Sequence, residues 1–299
     1  MNKVIGFIGL GAMGKPMAKN LIKAGMHLIC YNDKNKAAIR EMVEEGAEEA
    51  TSCRDVAKRS DVIITVLPAD RQIMDVYASG EGILSSVRDG TVCIDMTSAL
   101  GDTIKNVAEM ALRMGKKITI LDAPVSGGVQ AACDGNLTIM AGGDRNAVEE
   151  YRPLLEIMGK KIFYTGGIGS GKAIKMINQL LNACNTYIMS EALYMADTMG
   201  IDRNLLYGVV NESSGSSWVF KNNLPRYVFP QDFQQGFRLE LMKKDIALCV
   251  KQAMNENSVL PVSNLIYQIY EAMSKQGNDM ANYNIVSQWV YQQNNRKPE

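Results

Sequence analysis

The chain has 299 residues, long for a single core and suited to two domains of ordinary size. A hydrophobic share of 46% beside 21% charged residues is globular composition and excludes a disordered or fibrous chain. Thirty-two Lys and Arg balance 32 Asp and Glu, so no basic field exists to gather polyanions, and nucleic-acid binding is not expected.

From the amino terminus, Lys3 leads directly into the apolar run Val4-Ile-Gly-Phe-Ile-Gly-Leu10. Turn glycines stand where a secretory signal would carry its cleavage site, so cytoplasmic residence is expected. The longest apolar runs, such as Asp61-Val-Ile-Ile-Thr-Val-Leu67, are strand-sized and far short of the ~20 residues that span a bilayer. Strands are predicted near 4–8, 28–32, 62–67, 91–95, 117–121, 137–141 and 161–165. Helical periodicity fills the intervals, for example at Met13, Met17, Leu21 and Ala24. That βαβ rhythm predicts an open, mostly parallel sheet. After about residue 165 the β-branched clusters thin, and helices are predicted at roughly 170–199, 203–212, 240–256, 261–275 and 280–293. Lys172 to Met199 lacks Gly and Pro, as one long interdomain helix requires. The tail Gln292-Gln-Asn-Asn-Arg-Lys-Pro-Glu299 is polar and expected to fray.

Gly9-Leu10-Gly11-Ala12-Met13-Gly14 follows the first strand and opens an amphipathic helix. In such a turn the first glycine makes the bend, and the second lets backbone approach a pyrophosphate. The third lets helix and strand pack closely, with the helix N-terminus facing the anion. A bare pattern of three glycines is weak evidence; this strand, this helix and the following strand make dinucleotide binding the expectation. The expected architecture is therefore an α/β Rossmann-type NAD(P)-binding domain over residues 1–165, then an all-helical domain over 166–299. The second strand ends at Asn32-Asp33-Lys34. An acidic residue at the tip would take the adenosine ribose hydroxyls of NAD, whereas a basic one suits NADP. Asp33 one step past the tip, with Lys34 and Lys36 beside it, leaves both NAD and NADP open.

Three further segments can carry chemistry. In Asp122-Ala-Pro-Val-Ser126-Gly127-Gly128 a hydroxyl and two amides can hold a carboxylate, although these residues alone also read as an ordinary turn. Gly166-Gly-Ile-Gly-Ser-Gly-Lys172-Ala173 imitates a phosphate-binding loop, but Ala173 offers no oxygen to magnesium. It is read instead as a glycine-rich hinge into the long helix. On that helix Lys175 and Asn178 share a face, and a lysine in a cleft can exchange a proton with a hydroxyl or carbonyl oxygen. Taken alone, Lys175 also reads as a solvated surface lysine. The six cysteines contain no CxxC pair and are read as reduced, mostly small core residues. The single histidine, His27, is read as structural.

With these residues in place the sequence resembles the β-hydroxyacid dehydrogenases, the family of 3-hydroxyisobutyrate dehydrogenase and tartronate semialdehyde reductase, over nearly its whole length. Phe7-Ile-Gly-Leu-Gly-Ala-Met-Gly-Lys-Pro-Met-Ala-Lys-Asn-Leu21 resembles the family's amino-terminal signature. Asp122–Gly128 resembles its substrate-binding segment, and Gly169-Ser-Gly-Lys-Ala-Ile-Lys175-Met-Ile-Asn178-Gln its catalytic segment.

The resemblance implies Lys175 as proton donor and acceptor and Asn178 as an orienting residue. It implies Ser126, Gly127 and Gly128 as the carboxylate anchor, Leu67, Pro68 and Thr97 beside the nicotinamide, and Lys244 reaching the site from the helical domain. The implied reaction interconverts a small 3-hydroxy acid and its semialdehyde with NAD or NADP, without a metal, in a homodimer or homotetramer. Gln179 replaces a commoner asparagine and is similar to the tartronate semialdehyde reductase branch. No tyrosine has lysine four residues later, which sets aside the short-chain dehydrogenase mechanism. The absence of Lys-x-x-His-Asn sets aside the phosphogluconate dehydrogenases, and the retained lysine argues against imine reductases. The alternative is a dinucleotide-binding sensor or scaffold that keeps the fold without turnover.

Overall fold

The structure is a computed structural model that describes residues 3–33, 35–234 and 236–296. Two compact units, Met1–Lys175 and Met176–Glu299, divide inside one long helix.

The first unit alternates strands and helices: β1 (Val4–Ile8), α1 (Gly14–Lys23), β2 (His27–Tyr31), α2 (Lys36–Glu44), β3 (Glu48–Glu49), α3 (Cys53–Arg59), β4 (Val62–Thr65) and α4 (Asp70–Ala78). There follow β5 (Val92–Asp95), α5 (Gly101–Arg113), β6 (Thr119–Asp122), β7 (Val125–Ser126), α6 (Gly128–Cys133), β8 (Leu137–Gly142), α7 (Arg145–Met158) and β9 (Gly159–Gly166). The sheet order is β3-β2-β1-β4-β5-β6-β8-β7, with β9 on β8. Strands β1 to β6 pair in parallel, while β8 runs antiparallel to both β6 and β7. Strand order therefore reverses between β1 and β4, the point at which open α/β sheets form their ligand crevice.

All four residues of β4 are buried, as a strand covered on both faces must be. Its alternation builds two cores. Val62 and Ile64 pack with Met17 and Leu21 of α1 and Ile39 of α2; Ile63 packs with Val56 of α3, Ile73 of α4 and Ile104 of α5.

The long helix α8 (Ser170–Thr198) begins in the first unit and continues in the second. The second unit adds α9 (Arg203–Asn211), α10 (Trp218–Asn223), α11 (Leu239–Asn255), α12 (Pro261–Lys275) and α13 (Val286–Gln293). Its cores join Ala183 of α8 to Met242 of α11 and Tyr270 of α12, and Met189 to Phe220 and Leu224. Among the described residues no helix is long and apolar enough to cross a membrane.

The structure differs from the sequence expectations in several places. β3 and β7 have two residues each, too short to leave a periodic signal. α10 and the π turn Leu224–Val228 were not expected, because Gly215 and Pro225 punctuate that stretch. The last helix starts at Val286, after a 3₁₀ turn over Tyr283–Ile285 that Asn282 caps. Of the cysteines, Cys30, Cys93 and Cys249 are buried, Cys53 and Cys184 are half-buried, and Cys133 at the end of α6 is exposed. His27 opens β2 and stands exposed, its Nε2 2.6 Å from Glu48 Oε1. The end of the polar tail, residues 297–299, lies outside the described residues.

Candidate active site

The three glycines after β1 are distinguished by what a Cβ would meet. At Gly9, with φ at +102°, it would lie 2.1 Å from the Val66 carbonyl oxygen; at Gly14 it would lie 2.0 Å from that of Gly9. Both positions are therefore fixed by the chain's own packing. Gly11 is different: it is exposed, and a Cβ there would meet nothing within 4 Å. No packing contact accounts for glycine at that position, and the open space leaves room for a ligand to approach the backbone. Helix α1 starts with Met13 at its N-cap, with no side-chain capping bond, and the Lys15 amide donates to the Gly11 carbonyl at 3.0 Å. Leu10 is buried and Ala12 exposed.

At the tip of β2 the half-buried Asn32 accepts a hydrogen bond from the Leu10 amide through Oδ1, at 3.4 Å. Asp33 beyond it is exposed; Lys34 lies outside the described residues. After β4, the Leu67 amide donates to the Thr97 hydroxyl at 2.9 Å, and Pro68 is exposed. Leu67 and Thr97, distant in sequence, are thus joined at adjacent strand ends. β7 follows β6 along β8, with Ser126 opposite Thr138. Gly127 at φ +133° and Gly128 at +74° turn the chain into α6. A Cβ at Gly127 would press on Ala131 at 2.7 Å, while Gly128 faces open space.

The glycine-rich turn before α8 is a clasp rather than a loose hinge. Asp122, at the end of β6, accepts from the Gly169 amide at 2.6 Å and the Lys172 amide at 2.9 Å. Burial pushes the Asp122 carboxyl above the usual carboxylate range, against the pull of those two amides. Close packing accounts for the neighbouring glycines: a Cβ on Gly171 would sit 2.1 Å from the Met140 carbonyl oxygen. The Lys172 ammonium turns inward onto the fully buried Asp95 carboxylate and donates to the Thr97 carbonyl at 2.7 Å. This pairing occupies the lysine that imitates a phosphate-binding loop. Lys175, one turn further along α8, is buried as well, with 7% of its surface exposed.

In the second unit Asn178 Nδ2 donates to Gln179 Oε1 at 3.3 Å, and Gln179 Nε2 donates to the buried Asp245 carboxylate at 2.7 Å. Lys244 Nζ lies 3.0 Å from the other oxygen of that carboxylate. Asn178, Gln179, Asp245 and Lys244 thus form one polar string between α8 and α11. The sequence alone assigned no role to Asp95, Asp122 or Asp245, each a buried carboxylate with a partner distant in sequence. The only hint for Asp95 and Asp122 was an acid at the end of an apolar strand.

Residues 4–166 match the family described as the NAD binding domain of 6-phosphogluconate dehydrogenase. Residues 169–289 match that of the NAD-binding region of NADP-dependent 3-hydroxyisobutyrate dehydrogenase. The chain is 37% identical to the mitochondrial 3-hydroxyisobutyrate dehydrogenase of Rattus norvegicus over 292 residues, 96% of this chain and 86% of that one. The chain belongs to the β-hydroxyacid dehydrogenase family. A second family member, 2-(hydroxymethyl)glutarate dehydrogenase of Eubacterium barkeri, is 36% identical over 267 residues, 89% of this chain and 88% of that one. Among solved structures, 3-hydroxyisobutyrate dehydrogenase of Mycobacterium tuberculosis with L-serine superposes with a TM-score of 0.90 at 29% identity. That match covers 97% of this chain and 99% of the other. As a β-hydroxyacid dehydrogenase the chain is an NAD(P)-dependent oxidoreductase.

Proposed function

We propose that this β-hydroxyacid dehydrogenase interconverts a small 3-hydroxy acid and its semialdehyde. Tartronate semialdehyde and methylmalonate semialdehyde are the first substrates to consider. The observation that carries the reading is the burial of Lys175 one turn past a helix start clasped to the ends of β5 and β6. A lysine held in that way, unlike one on a solvated face, has a fixed direction and a reduced hydration shell, which suits it to proton exchange. Retention of Lys175 and Asn178 with Ser126, Gly127 and Gly128 argues for turnover rather than a sensor or scaffold.

The turn Gly9–Gly14 fits a pyrophosphate, because the open face over Gly11 leaves room for an anion to approach the start of α1, where no side chain caps the helix. Asn32 and Asp33 would take the adenosine ribose, and the exposed acid supports NAD while leaving NADP to be tested. Leu67, Pro68 and Thr97 would line the nicotinamide side, with Lys244 contributed by the helical domain. When bound, the cofactor supplies or accepts the hydride. Lys175 Nζ gives a proton to the carbonyl oxygen during reduction and takes one from the alcohol during oxidation. The Ser126 hydroxyl and the Gly127 and Gly128 amides hold the substrate carboxylate, which fixes the face presented for transfer. Asn178 orients the substrate oxygen or the lysine. In this reading residues 1–165 bind the cofactor, and the helical remainder supplies substrate contacts and pairs subunits into a homodimer or homotetramer in the cytoplasm.

The test follows nicotinamide absorbance with NADH and NADPH separately, against a panel of small semialdehydes and their 3-hydroxy acids. Turnover of one panel member, lowered by about 10²–10⁴-fold in Lys175→Ala, is the expected result. Cofactor binding with no turnover of any member would favour the sensor and remove the proton-transfer role from Lys175.

A further inference from the structure

We infer that Lys172 is a positioning residue: paired with Asp95, it sets where the first turn of α8 carries Lys175 relative to the Thr97 and Leu67 backbone. The inference rests on the reading of Lys175 as the proton-transfer group and adds a residue that does not itself touch substrate.

Both side chains of the pair have no exposed surface. Burying an ammonium and a carboxylate is costly in any fold, and such a pair persists where its geometry is closely satisfied. Here it is. Asp95 accepts from the Lys172 ammonium, the Thr65 hydroxyl at 2.5 Å, the Thr97 hydroxyl at 3.1 Å and the Thr97 amide at 3.2 Å. Lys172 donates also to the Thr97 carbonyl. Thr97, having given its hydroxyl hydrogen to Asp95, accepts the Leu67 amide on the same oxygen. An unbroken string of hydrogen bonds therefore runs from Leu67 through Thr97 and Asp95 to Lys172.

The main chain of Lys172 is held independently, since its amide donates to Asp122. One residue is thus fixed by its backbone to the end of β6 and by its side chain to the end of β5. A helix start held at two such points can neither slide along its axis nor rotate about it. Lys175 follows three residues later on the same helix, so its direction is inherited from that clasp. The backbone bonds to Asp122 already tie the helix start to β6; the inward lysine adds a link to the loops carrying Leu67 and Thr97.

The test uses the full-length enzyme with the substrate found above. Removing one partner alone would strand a buried charge, so the informative variant is Lys172→Gln/Asp95→Asn, which neutralises both together. If positioning is correct, this variant folds with native circular dichroism and binds reduced cofactor within about threefold of wild type. Its kcat falls by about 10²-fold, the scale of a 1 Å misplacement, while the pH profile of kcat keeps its midpoint. An unchanged kcat in the folded variant overturns the inference. So does a midpoint moved by a full pH unit, which would make the pair an electrostatic rather than a geometric device. If the double variant does not fold, Lys172→Gln is measured under the same criteria; failure of both to fold makes the pair a folding determinant and overturns the assignment. Lys175→Ala is run alongside. Wild-type turnover in that variant removes the reading of Lys175 itself, whereas loss of turnover there with none in the double variant removes only the role given to Lys172.

Discussion

Asp95 and Asp122 face one another in register at the ends of β5 and β6, and both hold the same residue, Lys172. Asp95 takes the ammonium and Asp122 takes the amide. Two adjacent strands thereby end on carboxylates that fix the start of α8, the helix bearing Lys175.

The Asp122 side of this arrangement has a pH signature. Its carboxyl is raised above the ordinary value of 3.8, chiefly by burial, so the folded protein holds this proton more tightly than the unfolded chain. In the window just above pH 3.8 the folded state therefore binds more protons, and this group's contribution to stability is lost as pH rises through the folded value. Denaturant titrations of wild type and Asp122→Asn from pH 4 to 7 should show the wild-type advantage shrinking with rising pH. A constant difference would show that Asp122 titrates normally. At neutral pH the substitution should cost about 2 kcal/mol, because one of the two amides loses its acceptor.

The glycines after β1 allow the proposed cofactor contact at Gly11 to be tested apart from the packing at Gly14. Gly14→Ala should destabilise the fold by about 1–3 kcal/mol, since its Cβ meets the Gly9 carbonyl. Gly11→Ala should leave the melting temperature within about 2 °C yet weaken NAD(P) binding about tenfold. Thermal melts and cofactor fluorescence titrations measure both. Equal destabilisation by the two substitutions would assign Gly11 to packing.

Thiol reactivity should follow burial. The Cys30 and Cys93 thiols are pushed up to about 12 by burial, and Cys249 to about 12 by burial and the nearby Asp245 charge. Cys53 rises to about 11. Titration with a disulfide reagent at pH 8 should therefore show one fast thiol, Cys133, absent in Cys133→Ser, with Cys30, Cys93 and Cys249 reacting only after denaturation. A fast phase that survives in Cys133→Ser would contradict this order.

The proposed oligomer points to one face of α8. Ile177, Leu181, Ile188 and Met195 recur at helical spacing in the second unit, each more than half exposed. Leu181→Glu/Ile188→Glu should shift sedimentation toward the monomer with the helical content kept. A doubly substituted chain that stays assembled would place the interface elsewhere.

Much of this was legible in the residues themselves. The alternating strands and helices, the long α8 and the turn Gly9–Gly14 depend on local periodicity, and their chemistry is written in consecutive residues. The roles proposed for Ser126 and Lys175 rest on family resemblance, because neither segment by itself separates a site from an ordinary turn or a surface lysine. Short elements were not: β3, β7 and α10 are stabilised by neighbours far along the chain, so their own residues carry little signal. The same holds for Gln179, whose departure from the commoner asparagine says nothing of Asp245 until α8 and α11 are packed.

Lys172 marks the boundary most clearly. The sequence by itself determined that a glycine-rich turn delivers a lysine to the start of a long helix, and the missing oxygen at Ala173 argued against a phosphate loop. Only the tertiary structure decided that this lysine points inward, because its partner Asp95 lies 77 residues away on β5. Helix direction is a local property, whereas the pairing of two buried charges depends on which strand ends the fold places side by side.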